Sequence, residues 1–376
     1  MKIVHVIIGL NVGGAELMLR RLIESYKHNA DYVHVVVSLT ELGVIGGQLN
    51  AQGVQVITVG MRNAFDMPRA LYELTKIIRK MKPDIVQTWM YHSDFLGGLA
   101  AYLAGVRNIV WGVRTTDIRK GGARATIFIR RICAVLSFFL PKIIICAAEA
   151  AKSLHVKIGY DSKRMVVIPN GFDLSRLSAT ALQRYEIRRE LGVQDADLVV
   201  GSLGRYNPVK DHANIISAAG ILAGEFQNLK FMLVGRDMEP CNVVLMGLIA
   251  ETGYANRFIL VGERQDVAAY LNAMDIFCLH SKTEGFPNAL GEAMAMALPC
   301  VTTDVGDAAF LLGNNGIVVP SQNADALAEG LKKMIEIGSE ARRELGRNAK
   351  ARIIAEFSMD SIAARYSKIY EGLLLN

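Results

Sequence analysis

Glu284-Gly285-Phe286-Pro287-Asn288-Ala289-Leu290-Gly291-Glu292 sets two carboxylates apart with seven residues between them. Ahead of it, residues 274–281 (Met-Asp-Ile-Phe-Cys-Leu-His-Ser) read as a buried strand running into a loop. Behind it, residues 289–297 are rich in good helix formers, and Asn288 is a natural N-cap. Strand, loop and helix in that order make one step of an α/β fold. The spacing predicts Glu284 on the strand-to-helix loop and Glu292 about one turn into the helix. Gly285 lets a ligand approach the backbone closely, and the unsatisfied N–H groups of a helix start favour a phosphate. Two acceptors for sugar hydroxyls beside an anion-binding helix end describe a nucleotide-sugar site, although a strand–loop–helix with two solvated glutamates accounts for the spacing equally well.

Working outward, the same step repeats along the chain. Apolar runs at 3–8, 33–39, 54–59, 85–88, 108–113, 143–147 and 165–168 alternate with amphipathic stretches such as 16–26 and 68–81. Such alternation implies a parallel sheet with right-handed crossovers. Pro169-Asn170-Gly171-Phe172-Asp173 is a turn signal that closes this first sheet. The polar helical stretch 181–191 reads as a linker, and the pattern restarts at 198–203, followed by runs at 230–234, 258–261, 275–279 and 300–303. The expectation is two doubly wound Rossmann-like domains, 1–175 and 176–359. Ligands of such folds bind at the carboxyl ends of the strands, here in a cleft faced by both sheets. The last helix, 360–376, has Ile362, Tyr366, Ile369, Tyr370 and Leu373 on one side and needs a surface to pack against.

Composition narrows the class. The chain has 376 residues, 51% hydrophobic and 21% charged, which suits two globular domains and excludes a disordered chain. Its five cysteines are scattered with no C-x-x-C pair, so they read as reduced thiols of a cytoplasmic protein and not as a disulfide frame or zinc site. The apolar start, Met1 to Gly9, is too short and too poor in basic residues for a secretory signal and reads as a first buried strand. The net charge of +6 is uneven: residues 1–175 carry 22 Lys and Arg against 12 Asp and Glu, and the remainder carries 20 against 24. No basic stripe interleaved with aromatics and no helix-turn-helix or finger pattern supports nucleic acid as the partner. An anionic membrane surface or a lipid-phosphate acceptor fits the basic half better.

Other strand ends carry further candidates. In Gly204-Arg205-Tyr206-Asn207-Pro208-Val209-Lys210-Asp211 the two cations are five apart and either reach one diphosphate, offsetting the charge of a leaving nucleoside diphosphate without a metal, or are two solvated basic residues. Gly13-Gly14-Ala15-Glu16 opens a helix after the first strand. Its glycines allow phosphate to approach, although tight strand–helix packing explains them equally well. It is not the G-x-G-x-x-G fingerprint. His92, after the fourth strand, can hydrogen-bond a sugar hydroxyl or the acceptor, or can be a structural histidine. Arg114 is a weaker candidate for an acceptor phosphate. Asp195-Ala196-Asp197 spells D-x-D but lies in a turn with no second carboxylate cluster and reads as solvated. Asp304-Val305-Gly306-Asp307 is placed along the cleft wall and Val261-Gly262-Glu263-Arg264 by the base. Residues 119–142 combine Arg119, Lys120, Arg124, Arg130 and Arg131 with the apolar run 132–140. That run is too short to span a bilayer; the segment either lies on a membrane surface or is a buried helix with a basic end.

Glu-Gly-Phe-Pro-Asn followed by Glu-Ala-Met-Ala resembles the signature of family 4 retaining glycosyltransferases of GT-B architecture. Gly204-Arg205 with Lys210 and Gly13-Gly14-Ala15-Glu16 resemble two other loops of that family, so the resemblance runs over nearly the whole chain. One difference is Asp211, where the family usually has Gly. The resemblance implies a metal-independent enzyme without a cofactor. It would move a sugar from a UDP- or GDP-linked donor to a saccharide or polyprenyl-phosphate-linked acceptor, in bacterial cell-surface polysaccharide assembly. It implies that Glu292 holds the ribose, Arg205 and Lys210 the diphosphate, and Gly14 faces the diphosphate and the acceptor. Glu284, with the backbone of Gly285, Phe286, Pro287 and Asn288, would orient the donor sugar. His92 would act beside the acceptor, and the last helix would return to the first domain. Two other readings remain open at this level: a GT-B sugar-nucleotide epimerase and a non-catalytic nucleotide-sugar-binding protein.

Overall fold

The computed structural model describes residues 1–114 and 124–375. The chain forms two compact units, residues 1–171 with 359–376, and residues 172–358.

In the first unit seven strands, β1 (Lys2–Ile7), β2 (Val33–Ser38), β3 (Gln55–Thr58), β4 (Ile85–Trp89), β5 (Ile109–Val113), β6 (Ile143–Cys146) and β7 (Met165–Val167), pair in the order β3-β2-β1-β4-β5-β6-β7, all parallel. The β-branched runs suit this sheet because both faces are covered. Successive residues of β1 point to opposite faces. Val4 and Val6 join a core with Leu74 and Ile78 of α3 (Met67–Met81), Ala100 of α4 (Tyr91–Leu103) and Cys133 of α5 (Arg124–Leu136). Ile3 and Ile7 join the opposite core with Leu19 of α1 (Gly14–Ser25) and Leu49 of α2 (Gly43–Ala51). α4 lies close on the sheet: a Cβ on Gly98 would come within 2.7 Å of Trp111 Nε1, so the Gly97-Gly98 pair is needed for the helix to dock. α6 (Glu149–Ile158) completes the connection to β7.

The second unit repeats the plan. α7 (Ala181–Glu190) precedes β8 (Leu198–Leu203), α8 (His212–Glu225), β9 (Leu229–Val234), α9 (Val243–Glu251), β10 (Phe258–Gly262), α10 (Val267–Ala273) and β11 (Ile276–Leu279). There follow α11 (Asn288–Ala295), β12 (Cys300–Thr303), α12 (Ala308–Leu312), β13 (Gly316–Val319), α13 (Ala324–Glu336) and α14 (Gly338–Arg352). The sheet order is β10-β9-β8-β11-β12-β13, again parallel. β13, only four residues long and flanked by Asn314-Asn315, carries too short an apolar run to stand out in the sequence. α15 (Met359–Leu374) then belongs to the first unit, burying Ile362, Tyr366 and Tyr370 against Ile3, Leu19 and Trp89.

Residues 181–190 are not a linker. α7 is part of the second unit, with Arg184 and Arg188 both paired to Asp275 (2.6 and 3.1 Å) and Arg188 donating to the carbonyl of Ala273. Its polar sequence reflects two arginines that bind carboxylate and carbonyl oxygens by their planar forks, not a solvated connection.

Candidate functional site

In each unit the strand order reverses once, between β1 and β4 and between β8 and β11. Ligands of open α/β sheets bind outside the carboxyl ends of the strands at that point. The candidates flank the two reversals: Gly14 and His92 follow β1 and β4, while Arg205, Lys210 and Glu284 follow β8 and β11.

The second unit brings its loops into contact. Lys210 ends a short 3-10 turn, Pro208–Lys210, and its Nζ lies 2.6 Å from Glu284 Oε1. Ser281 Oγ donates to the same oxygen at 2.6 Å. The two loops are also joined through the main chain, Lys282 N donating to Val209 O at 2.8 Å, and by a second ion pair, Lys282 Nζ to Asp211 Oδ1 at 3.3 Å. Asp211 has φ +57°, the left-handed region that glycine adopts freely, which explains the preference for Gly after the family's lysine. Below them His280 Nε2 hydrogen-bonds Ser202 Oγ at 2.7 Å, and burial holds the His280 ring down at about 4, hence neutral. Arg205 is exposed beside this pair of loops.

The Glu284 loop is braced from behind. Gly306, at φ +54°, lies so close that a Cβ there would meet Glu284 O at 2.4 Å, and Asp307 N donates to Gly285 O at 3.0 Å. The Asp304–Asp307 turn is thus a buttress for the loop. Phe286 is buried between Phe172 and Phe357 (ring centroids 6.2 and 5.9 Å), so its side chain anchors the loop. The N-cap of α11 is Pro287 and not Asn288, which is the first helical residue. Proline has no N–H to leave unsatisfied there, so the N–H donors of this stretch come from its neighbours. Glu292 lies one turn on, half-buried. Ser281 and Thr303 (whose Oγ1 donates to Ser281 O at 2.9 Å) escaped the sequence reading. The one signal for Ser281 was its place at a strand exit three residues before Glu284.

In the first unit Gly14 is the first residue of α1, after an extended Gly13. His92 is the second residue of α4, and burial lowers its pKa, so the ring is neutral near pH 7 and able to hydrogen-bond a hydroxyl. The turn that presents it is strained: Met90 has φ +73°, held by Met90 N donating to Gly112 O at 2.8 Å. Buried Asp94 secures the same turn, accepting from Thr88 Oγ1 at 2.5 Å and Gly112 N at 3.4 Å, and desolvation pushes its carboxyl up to about 8. Arg114 is not presented to a ligand. It stacks over Trp89 at 4.8 Å and donates to Asn170 Oδ1 at 2.6 Å and to Tyr366 Oη, clamping α15. A surface groove of about 710 Å3 between α3 and the end of α4 lies along helix flanks, and neither Gly14 nor His92 lines it.

Of the remaining motifs, Asp197 Oδ2 accepts from Gln194 N at 2.9 Å and closes its own turn. Glu263 pairs with Arg236 and Arg264 with Tyr270 at the end of β10. Arg119 and Lys120 lie outside the described residues, and no helix among the described residues is long and apolar enough to cross a membrane.

Two units of this kind define the GT-B class. The Anabaena protein Alr3699/HepE, solved in complex with UDP, superposes with a TM-score of 0.87 over 99% of this chain and 100% of its own, at 21% identity. The family model described as glycosyl transferases group 1 matches residues 183–352, and that of glycosyltransferase family 4 matches residues 12–176. The chain belongs to the family 4 (group 1) glycosyltransferases and is a transferase enzyme. Two curated relatives are 25% identical. One is an Escherichia coli UDP-Gal:α-D-GlcNAc-diphosphoundecaprenol α-1,3-galactosyltransferase, matched over 82% of this chain and 80% of its own. The other is a Campylobacter jejuni N,N'-diacetylbacillosaminyl-diphospho-undecaprenol α-1,3-N-acetylgalactosaminyltransferase, matched over 94% and 95%.

Proposed function

We propose that this protein transfers a hexose from a UDP-linked donor to an undecaprenyl-diphosphate-linked saccharide, with retention at the anomeric carbon and without a metal, in assembling a bacterial surface polysaccharide. The observation that carries the reading is the pairing of the Lys210 and Glu284 loops at the β8–β11 reversal, with Arg205 beside them. Lys210 and Arg205 would hold the diphosphate and Glu292 the ribose. Glu284, with the backbone of Gly285 to Asn288, would orient the sugar. The choice of UDP and of a lipid-linked acceptor follows the names of the relatives.

In the step proposed, the acceptor oxygen bonds the anomeric carbon as its bond to the phosphate oxygen breaks. The departing phosphate takes the acceptor's proton, stabilised by Arg205 and Lys210. In the first unit, His92 would receive the acceptor, and Gly14 would face the diphosphate and the acceptor. Calorimetric titration with UDP, GDP and their hexose conjugates, with and without EDTA, tests the donor. EDTA-insensitive binding of one conjugate that is lost in Arg205→Ala supports the reading, and no binding by any of them refutes it. Proton NMR of the product reads the anomeric configuration.

We also propose peripheral contact with anionic membrane, from the cytoplasmic side, through α5. Its outward stripe alternates Arg124, Phe128, Arg131, Val135 and then Phe138 and Phe139, all exposed, and the sequence from Ile118 to Ala148 contains no acidic residue. Apolar rings interleaved with cations suit an anionic lipid surface. Sedimentation with phosphatidylglycerol vesicles should be lost in Phe139→Asp with nucleotide binding intact. Binding that is the same to phosphatidylcholine vesicles, or unchanged in the variant, would remove this contact from the account.

A further inference from the structure

We propose that Glu284 occupies the anion seat of Lys210 until a nucleotide-sugar displaces it, so that the pair selects the sugar-bearing donor over the bare nucleoside diphosphate. The inference rests on the donor site proposed above and adds a task that neither residue performs alone.

The geometry is that of a pair held ready to exchange partners. The Lys210–Glu284 contact is short, 2.6 Å, and mostly shielded, with side-chain exposures of 24% and 12%. The backbones on either side are fixed. Lys282 N bonds Val209 O, Lys282 pairs with Asp211, and Gly306 and Asp307 support the Glu284 loop from behind. Ser281 Oγ holds Glu284 Oε1 at 2.6 Å and keeps the carboxylate in place. The part free to move is the Lys210 side chain, a point charge on a four-carbon stem.

A nucleoside diphosphate that draws Lys210 away leaves the Glu284 carboxylate partly desolvated and next to a second anion. Breaking one side of a shielded pair is costly because the remaining charge loses its compensation. A nucleotide-sugar answers this cost. Its diphosphate takes the lysine while its hydroxyls replace Nζ as donors to Glu284. The same carboxylate thus opposes the leaving product and accommodates the incoming donor. An enzyme built this way releases its nucleoside diphosphate readily after transfer.

The test is titration calorimetry with UDP, GDP and the matching hexose conjugates on wild type, Glu284→Gln, Lys210→Met and the double variant. Glu284→Gln should bind the nucleoside diphosphate about fivefold to tenfold more tightly, since it no longer competes for Lys210. Its affinity for the sugar conjugate should not rise in step, so the preference for conjugate over diphosphate shrinks. In the Lys210→Met background the same substitution should leave diphosphate affinity unchanged. Ser281→Ala, which keeps the charge but loosens its seat, should shift the preference the same way by less, and serves if Glu284→Gln melts at a lower temperature than wild type. If wild type binds these ligands but Glu284→Gln binds the diphosphate no better, the exchange is wrong and the donor site stands. If wild type binds none of them, the donor site itself is wrong and the exchange falls with it.

Discussion

One chain builds the same doubly wound sheet twice and equips the two reversals differently. At β8–β11 the loops carry formal charge, Lys210 against Glu284 and Lys282 against Asp211, with exposed Arg205 beside them. At β1–β4 the presented groups are Gly14 and a neutral His92, and Arg114, at the end of the neighbouring β5, is turned inward to Trp89, Asn170 and Tyr366. Yet residues 1–175 carry the basic surplus, 22 cations against 12 anions, while the rest of the chain is net acidic. The surplus lies on outer helix faces, such as Arg79 and Lys80 at the end of α3 and Arg124 and Arg131 on α5. Net charge of a half-chain therefore reports what its outside can meet. The anion handled in the reaction is found by asking which charges the topology collects at a strand end.

The sharpest way to break this comparison is to remove the charged groups at β8–β11. Arg205→Ala and Lys210→Ala should each lower kcat/KM by roughly a hundredfold to a thousandfold, the range for losing one preorganised charge stabiliser. Both should lose nucleoside diphosphate binding by calorimetry. Equal loss of nucleotide binding on substituting Arg114 would erase the distinction between the two reversals.

A smaller effect is expected at β1–β4. His92→Ala should lower kcat/KM for the acceptor by about ten- to a hundredfold, in keeping with the loss of one hydrogen-bonding group. The Kd for the donor should stay within a factor of two or so, since His92 is proposed on the acceptor and lies outside the unit that carries Arg205, Lys210 and Glu284. Donor affinity that falls with acceptor efficiency would place His92 on the nucleotide instead.

The two reversals also differed in how much of them the sequence disclosed. The Glu284–Glu292 stretch and the Arg205–Lys210 loop are local in sequence, so residue type and spacing suffice to name them. Their support is not local. Gly306 lies under Glu284, and His280 reaches across the sheet to Ser202; both depend on contacts made only after the strands pair. The same holds for Arg114, whose strand-end position suggested a ligand. Its actual partner Tyr366 is 252 residues away, on a helix that the second unit separates from the rest of the first. α7 was misread as a linker because the carboxylate that its arginines meet, Asp275, lies in sequence beyond three strands of the same unit. Strand order and layer plan were legible because apolar runs of fixed length need no knowledge of partners. The brace around each loop was not, because it consists of partners.

The subtlest contrast is in response to pH. Beneath the charged reversal, burial lowers His280 to about 4 and His212 to about 3, with neighbouring His280 and then Lys210 adding to the shift of His212. A histidine with a lowered folded pKa holds fewer protons than its unfolded counterpart, so stability is lost as pH falls from about 6.5 toward those values. Beneath the neutral reversal, Asp94 is shifted the other way, up to about 8 by desolvation. Between about 4 and 8 the unfolded Asp94 has released its proton and the folded one keeps it, so this group costs stability as pH rises and the loss levels off above 8. Asp94→Asn copies the protonated shape without a proton to lose. Relative to wild type, the variant should hold its melting temperature better from pH 5 to pH 8, by about 2–4 °C for each kcal/mol of linkage removed. Calorimetric scans across that range check it. An unchanged slope would mean that Asp94 is ionised in the folded protein, its charge borne by Thr88, Gly112 and the strained Met90 turn that carries His92.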